Sequence, residues 1–144
     1  IRETVNFAGS QSVVASIDVK EEMFGRESCW IEGGRRKTGK TPIEMAKYAE
    51  KLGVGEILLT SISREGSMKG YNINLVKSVA DVVNIPVIAN GGAGCVEDLK
   101  KVLSIGHADA AAAGSMFVFY GRNKAVLINI PEEQELIKVG IDKN

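Results

Sequence analysis

Four short apolar runs, spaced along the chain, constrain its fold more than any other feature. They occupy residues 13–17, 57–61, 85–89 and 108–113. Each has the length of a strand and none alternates apolar with polar residues, a pattern typical of strands buried on both faces of a parallel sheet. The last run is nearly all alanine, so its prediction as a strand depends on its place in the order.

The stretches between these runs have the spacing of amphipathic helices. Residues 42–52 place apolar side chains on one helical face and lysines and glutamates on the other, and Thr41 precedes them as a helix cap. The same period returns in residues 74–83 and 96–105. Alternating strands and helices predict a parallel α/β sheet with right-handed crossovers.

Small residues follow the last two strands, in residues 90–94 and at Gly114-Ser115, whereas the first strand runs into Asp18 and no glycine-rich loop. A (β/α)₈ barrel holds phosphate in the loops after its last two strands, whereas a doubly wound sheet holds it after its first strand. A full barrel needs about 250 residues. The chain has 144, and we therefore predict that residues 1–144 form a single half-barrel unit.

Composition excludes several classes of protein. Eighteen basic and eighteen acidic residues cancel, so we expect no nucleic-acid or membrane partner. The apolar runs are too short to span a bilayer, and no secretory signal is apparent. Cys29 and Cys95 have no metal-site spacing. We therefore expect a cytoplasmic protein with no metal and no cofactor.

Residues 34–41 match the nucleotide-binding expression GxxxxGK[ST] in full. The segment before them reads as an exposed hairpin arm and not as a buried strand. The four spacer positions of the expression, residues 35–38, hold Arg, Arg, Lys and Thr, where a loop that wraps phosphate usually carries small residues. A basic surface hairpin leading into a helix is the favoured interpretation, and ATP binding at Lys40 is the alternative.

Two carboxylates are candidates for chemistry. Asp18 is predicted to end the first strand, at the barrel end where catalytic groups lie, and could act as general acid or base. A loop-stabilising carboxylate is the alternative. Glu65 occupies the corresponding loop after the second strand, as a ligand contact or as a solvated charge. His107 precedes the last strand, at the opposite end, and is interpreted as structural.

Gly91, Gly92, Gly114 and Ser115 are predicted to grip a phosphate group. Glycine lets backbone N–H groups approach an anion, and the serine hydroxyl adds a donor. The helix that starts near Val96 could direct its N-terminus at the same ligand. Each glycine pair alone is a weak signal, since turns are rich in glycine.

These segments together resemble the cyclase subunit of imidazole glycerol phosphate synthase (HisF), a (β/α)₈ barrel of histidine biosynthesis. Residues 9–18, 55–62, 88–94 and 108–115 resemble its fifth, sixth, seventh and eighth strands with their following loops. The resemblance runs from about residue 3 to residue 120. It implies the second half of the barrel, strands 5–8, without the first.

The resemblance also implies a function. The family takes ammonia from a glutaminase subunit and converts a phosphoribulosyl aminoimidazole carboxamide into imidazole glycerol phosphate and aminoimidazole carboxamide ribotide. The resemblance implies a lyase in which Asp18 is the acid or base and Glu56 belongs to a charged ammonia gate. The substrate or phosphate contacts that it implies are Thr60, Glu65, Gly66, Gly91, Gly92, Gly114 and Ser115. Gln11 lies near the gate.

Three departures leave alternatives open. The loop at residues 63–67 reads SREGS where the family usually reads DRDGT, and Asn90 stands where serine is usual. Residues 125–131 resemble a paralogous branch that accompanies amidotransferases in surface-polysaccharide sugar amidation. The alternatives are therefore that branch, or a non-catalytic phosphate-binding half-barrel. Exposed barrel edges also predict self-association or association with a first-half barrel.

Overall fold

A computed structural model describes residues 1–120, 125–128 and 130–140. The helices are α1 (Arg2–Ala8), α2 (Pro42–Lys51), α3 (Ile73–Ala80), α4 (Val96–Ser104), α5 (Ser115–Val118) and α6 (Glu133–Lys138). The strands are β1 (Val14–Glu21), β2 (Glu27–Ile31), β3 (Arg36–Lys37), β4 (Glu56–Ser61), β5 (Val87–Asn90), β6 (Ala110–Ala112), β7 (Phe119–Tyr120) and β8 (Ala125–Val126). Of the C-terminal motif at 125–131, Asn129 lies outside the described residues.

The four predicted strands form a parallel sheet in the order β1, β4, β5, β6. Helices α2, α3 and α4 connect them in turn, which confirms the α/β class and the strand–helix alternation. The helix ends follow from local chemistry. Thr41 caps α2 by accepting from the N–H of Glu44, whose side chain reciprocates, and Pro42 occupies the first turn. Asn72 caps α3 in the same way.

Burial alternates along the parallel strands. In β4, Ile57 and Leu59 are fully buried under the helices, whereas Leu58 and Thr60 are half-buried. The prediction of two buried faces is wrong because four strands do not close into a ring. We call the half-covered side the open face. It comprises Ser16, Asp18, Leu58, Thr60, Ile88, Asn90 and Ala112.

β1 is longer than the first apolar run because a hairpin pairs with it. Asp18 through Glu21 align antiparallel with β2, from Trp30 to Glu27, and β3 follows β2. Asp18 therefore lies within the strand and does not end it. The expectation of an exposed arm at 27–32 is wrong for Ser28 and Cys29, which are 6% and 1% exposed, and agrees with the exposed Ile31 and Glu32.

The two cysteines should react very differently. Burial raises the pKa of the Cys29 thiol to about 11. Cys95 lies exposed before α4, and partial burial raises the pKa of its thiol as well. Thiolates are the reactive form. With a disulfide reagent at mildly alkaline pH, we expect one thiol to react in the folded chain and the second only after denaturation. Cys95→Ser should remove the accessible thiol, and a second reactive thiol in folded protein would contradict this prediction.

Within the described residues, the parallel sheet has free hydrogen-bonding positions at both of its lateral edges. Residues 14–17 of β1 pair with β4 only, and β6 pairs with β5 only. Beside the free part of β1 lies a largely apolar cavity of about 240 Å³, lined in part by Val14, Met45 and Tyr48. An unpaired strand edge next to apolar surface is a place where another chain can add.

None of the helices in the described part of the chain has both the length and the hydropathy needed to cross a bilayer.

Candidate functional site

The open face carries a row of polar side chains near the carboxyl ends of the strands. Asp18 aligns with Thr60, Thr60 with Asn90, and Asn90 with Ala112. The amide Nδ2 of Asn90 donates to Thr60 Oγ1 at 3.2 Å. On the other side, Trp30 is the antiparallel neighbour of Asp18. Register alone thus brings the predicted acid or base beside a predicted substrate contact.

Trp30 is held in place beside Asp18 by polar contacts that sequence reasoning missed. Its indole N–H donates to Ser28 Oγ at 2.9 Å, and the Lys20 ammonium lies 4.9 Å from its ring centroid. Because Asp18 and Lys20 are two residues apart on one strand, their side chains lie on the same face. The open face therefore presents a carboxylate, a cation and an indole together.

Six of the eight residues predicted to contact substrate or to act as acid or base line one narrow cleft at this end of the sheet. They are Glu65, Gly66, Gly91, Gly92, Gly114 and Ser115. Asn90 also lines it, so the polar row leads directly into this cleft. We call it the glycine cleft. Asp18 and Thr60 lie on the open face next to it and do not line it.

Four backbone N–H groups of the glycine cleft donate to no residue that the structure describes. Among the described residues, no hydrogen bond is donated by the backbone N–H of Gly91, Gly92, Gly114 or Ser115. Gly91 and Gly92 are buried. Buried backbone N–H groups are nearly always paired in folded proteins, so the buried donors of Gly91 and Gly92 suit an anion, and Gly114 and Ser115 line the same cleft.

Packing explains the absence of a side chain at some glycines of the cleft and not at others. A Cβ at Gly92 would lie 2.3 Å from the carbonyl oxygen of Gly70, and one at Gly91 would lie 2.7 Å from that of Ser61. These two positions let the loops after β4 and β5 pack backbone against backbone. Gly114 has a negative φ and open space where its Cβ would be. Packing within the described chain therefore does not require glycine at 114.

Residues of the loop after β4, which sequence reasoning missed, position the cleft. Arg64 donates from Nη1 to the carbonyls of Gly70 and Tyr71, at 3.1 and 3.2 Å. The N–H of Gly70 donates to the carbonyl of Gly92 at 2.8 Å, and the Tyr71 hydroxyl donates to that of Ala112 at 2.8 Å. No spacing rule in the sequence marks these long-range contacts.

The N-terminus of α4 is not directed at a ligand as predicted. Asp98 Oδ2 accepts from the N–H groups of Gly94 and Cys95, at 3.0 and 3.3 Å. A carboxylate of the chain itself therefore occupies this helix end, where the helix dipole favours negative charge.

Glu56 and His107 lie at the opposite end of the sheet. Glu56 begins β4 and pairs with Val14, about 13 Å along the strand from Thr60 at the usual rise per residue. His107 Nδ1 lies 2.6 Å from Asp81 Oδ1, and this hydrogen bond lowers the pKa of the Asp81 carboxyl. Both positions agree with the ends expected from the sequence.

The segment that matches the nucleotide-binding expression has no phosphate-binding geometry. The Thr38 N–H donates to the carbonyl of Cys29 and the Lys40 N–H to Thr38 Oγ1, so these amides point into the hairpin. The Lys40 ammonium lies 5.6 Å from the Tyr48 ring centroid. The favoured interpretation, a basic hairpin leading into α2, agrees with this geometry.

The rest of the described chain offers no comparable site. Among the described residues, no group of three or more His, Cys, Asp or Glu side chains could hold a metal ion. A larger cavity of about 450 Å³ lies between the Gly94–Glu97 segment and α6, lined in part by Met116 and Lys138. It contains none of the predicted residues, so the chemistry points to the smaller glycine cleft.

Comparison with known proteins gives consistent matches. The model of the family described as "Histidine biosynthesis protein" matches residues 1–123. The chain is 45% identical over 136 residues to the "Putative imidazole glycerol phosphate synthase subunit hisF2" of Pseudomonas aeruginosa, covering 94% of the chain and 54% of that protein. It is 48% identical over 109 residues to the "Imidazole glycerol phosphate synthase subunit HisF" of Alkaliphilus metalliredigens, covering 76% and 43%.

A third relative has a similar extent. The "Putative imidazole glycerol phosphate synthase subunit hisF3" of Vibrio vulnificus is 41% identical over 136 residues, covering 94% of the chain and 52% of that protein. The chain thus spans about half the length of the curated relatives it matches.

Proposed function

The chain belongs to the histidine biosynthesis protein family, whose members are (β/α)₈ barrels, and it resembles the HisF subunits within that family; from this premise we propose that it is the phosphate-binding half of a cyclase barrel. In this proposal residues 1–144 form one half-barrel unit. The glycine cleft takes a phosphate group of a phosphorylated sugar-like substrate, and the open face carries the reacting groups.

The proposed reaction is that of a cyclase-type lyase in histidine biosynthesis. Ammonia from a glutaminase partner reacts with a phosphoribulosyl aminoimidazole carboxamide, and imidazole glycerol phosphate and aminoimidazole carboxamide ribotide are released. Asp18 is the general acid or base, because its carboxylate lies on the open face beside Thr60, near the end where the strands lead to the glycine cleft. Glu56, at the opposite end of β4, belongs to the gate through which ammonia enters.

The contacts next to Asp18 have complementary roles. Asn90 donates to Thr60 Oγ1, so the Thr60 hydroxyl keeps its own proton for donation to substrate. Glu65 lines the glycine cleft, and its carboxylate only accepts hydrogen bonds when ionised. It therefore contacts a hydroxyl or N–H group of the substrate, while the phosphate group binds the N–H groups of Gly91, Gly92, Gly114 and Ser115.

The observation that carries the proposal is the combination of unpaired N–H groups with an unhindered glycine. Gly91 and Gly92 are explained by packing between loops, but within the described residues, apart from its two chain neighbours, Gly114 has no atom within 4 Å of a Cβ position. A glycine without a packing or φ requirement, beside three N–H groups that donate to no described residue, is explained by close approach of a ligand.

Gly114→Ala tests this directly. We expect the free energy of unfolding to stay within about 0.5 kcal/mol of the wild-type value, because the added methyl group has no atom of the described residues within 4 Å beyond its two chain neighbours. Affinity for inorganic phosphate should fall roughly tenfold, since the methyl group occupies ligand space and costs about one hydrogen bond. Amide chemical shifts during a phosphate titration report both binding and location.

The matched control is Gly39→Ala, which also has open space at its Cβ but lies outside the cleft. It should leave phosphate affinity unchanged, although its φ of +77° costs some stability. Unchanged affinity in Gly114→Ala, or phosphate-induced shifts elsewhere in the chain, would contradict a phosphate site at the glycine cleft.

The missing carboxylate partner of Asp18 is proposed to come from a first-half barrel. The free part of β1, the free edge of β6 and the half-covered open face are the surfaces that such a half would cover. Self-association is the alternative way to cover them. Sedimentation of the chain alone and mixed with the first half of a relative distinguishes the two, because only one gives a mixed species.

A second candidate is ammonia delivery in surface-polysaccharide sugar amidation, or phosphate binding without catalysis. The matches to the hisF2 and hisF3 relatives span 136 residues and must reach into the C-terminal segment, whereas the match to the Alkaliphilus subunit spans 109. Asn90, where serine is usual in the family, is a further departure from the histidine-pathway pattern. Phosphate binding with no turnover of the histidine-pathway substrate would support it.

A further inference from the structure

Tyr71 lies beneath the glycine cleft and connects two loops that are far apart in the sequence. Its side chain is 4% exposed, and its hydroxyl donates to the carbonyl oxygen of Ala112 at 2.8 Å. Ala112 is the last residue of β6, and the residues that follow it, Ala113, Gly114 and Ser115, line the cleft.

The Tyr71 hydroxyl remains a donor at neutral pH. Burial raises its pKa, and the nearby carboxylates of Asp98 and Glu65 raise it further. A protonated phenol has one hydrogen to donate, and the Ala112 carbonyl receives it.

This hydrogen bond fixes the direction of the next N–H group. In a trans peptide the C=O and N–H bonds point to opposite sides, and the described chain has no cis peptide. Holding the Ala112 carbonyl toward Tyr71 therefore directs the Ala113 N–H away from Tyr71. That N–H, like those of Gly114 and Ser115, donates to no described residue.

The backbone of Tyr71 is itself held from the other side. Arg64 donates to the carbonyls of Gly70 and Tyr71, and Gly70 donates to Gly92 in the opposite wall of the cleft. Tyr71 therefore connects the loop after β5 to the loop after β6. The spacing between the two groups of unpaired N–H donors depends on this connection.

We propose that Tyr71 is a positioning residue for the phosphate ligand: its hydroxyl holds the peptide after β6 so that the N–H groups of residues 113–115 face a phosphate group bound between them and Gly91-Gly92. The proposal rests on the proposed function of the cleft. Tyr71 itself touches no ligand and acts through the Ala112 carbonyl.

Tyr71→Phe is the test, because it keeps the ring and removes only the hydroxyl. In a titration of the full chain with inorganic phosphate, we expect affinity to fall about five- to tenfold, which corresponds to one hydrogen bond. The phosphate-induced amide shifts should be lost at residues 113–115 and retained at Gly91 and Gly92. A role in packing alone would not produce this selective loss.

Two variants accompany it. Tyr48→Phe is the matched control, since Tyr48 is half exposed on α2, and its affinity should equal the wild-type value. Arg64→Lys removes the guanidinium nitrogen that donates to the carbonyls of both Gly70 and Tyr71. Like Tyr71→Phe, it should lower the affinity for phosphate. This variant keeps the proposal testable if Tyr71→Phe does not fold.

The outcomes separate this inference from the proposed function. Wild-type binding with equal affinity in folded Tyr71→Phe would overturn the positioning role and leave the cleft as a phosphate site. Wild-type protein that binds no phosphate would overturn both the cleft as a phosphate site and the positioning of phosphate by Tyr71. Selective loss at residues 113–115 supports both.

Discussion

Replacing Gly92 by alanine is expected to destabilise the chain by about 2–5 kcal/mol, the sum of backbone strain and forced overpacking. The φ of Gly92 is +110°, and a Cβ there would lie 2.3 Å from the carbonyl oxygen of Gly70. That oxygen belongs to the backbone, so it cannot move aside as a flexible side chain would. The loops after β4 and β5 must separate, and the hydrogen bond from Gly70 to Gly92 is lost with them. Denaturant unfolding measures the stability change.

Two further glycine variants separate the causes. Gly94→Ala brings a Cβ to 2.4 Å from the Met68 carbonyl at a φ that is not positive, so it tests contact alone. Gly39→Ala has a φ of +77° and open space, so it tests strain alone. We expect each to cost less than Gly92→Ala. Equal stability of the Gly92→Ala and Gly39→Ala variants would contradict the close approach of the two loops.

Asp18→Asn is expected to lower turnover by about 10²–10⁴-fold, the usual contribution of a positioned acid or base. The assay combines this chain with a separately made first-half barrel, the histidine-pathway substrate and ammonium salt. Asparagine keeps the size of the side chain but cannot exchange a proton, so KM should change less than kcat. Ammonium salt replaces the glutaminase, and the result therefore concerns the chemistry on the open face only.

The control for that experiment is Asp81→Asn at the opposite end of the sheet. Asp81 contacts His107 and Lys77 and lies far from the cleft in the topology, so turnover should stay near the wild-type value. Wild-type turnover in Asp18→Asn would refute the role of Asp18. An assembled barrel that binds phosphate but never turns over would instead favour the polysaccharide branch or a binding-only function.

The elements that could be predicted from the sequence are those fixed by local chemistry. Thr41 and Pro42 start α2 where their capping preferences place it, and the spacing of apolar residues marks α3 and α4. The strand order could be predicted as well, because consecutive strand–helix–strand units pair side by side. Even the alanine run formed β6, although alanine has no strand preference of its own.

The hairpin and the open face could not be predicted in the same way. β2 looked exposed because it carries Glu27 and Ser28, but long-range pairing with β1 buries Ser28 and Cys29. Continuous apolar runs indicated two buried faces, and they do not reveal whether the second layer belongs to the same chain. Leu58 and Ile88 are apolar although their face is only half covered. The pattern reflects a surface that a closed barrel would bury.

In the candidate site, too, some features could be predicted from the sequence and others could not. The positions of Gly91, Gly92, Gly114 and Ser115 in one cleft followed from strand order and from the barrel rule. The hydrogen bonds from Tyr71 to Ala112 and from Gly70 to Gly92 did not, because each depends on where two loops meet in space. The glycines also looked alike in sequence, and only the surrounding atoms distinguish the two that packing requires from the one that it does not.

The hairpin along β1 also affects the aggregation behaviour of the chain. Within the described residues, four residues of β1, at 14–17, pair with β4 but have no strand on their other side, and β6 has a free edge of three residues. Such short edges form few hydrogen bonds, so endless strand-on-strand stacking into fibrils has little to gain from them. Association with a partner chain that also covers the apolar side chains of the open face is stabilised much more, because it buries apolar surface as well as pairing strands. The short edges therefore favour association with one complementary partner chain over unlimited polymerisation.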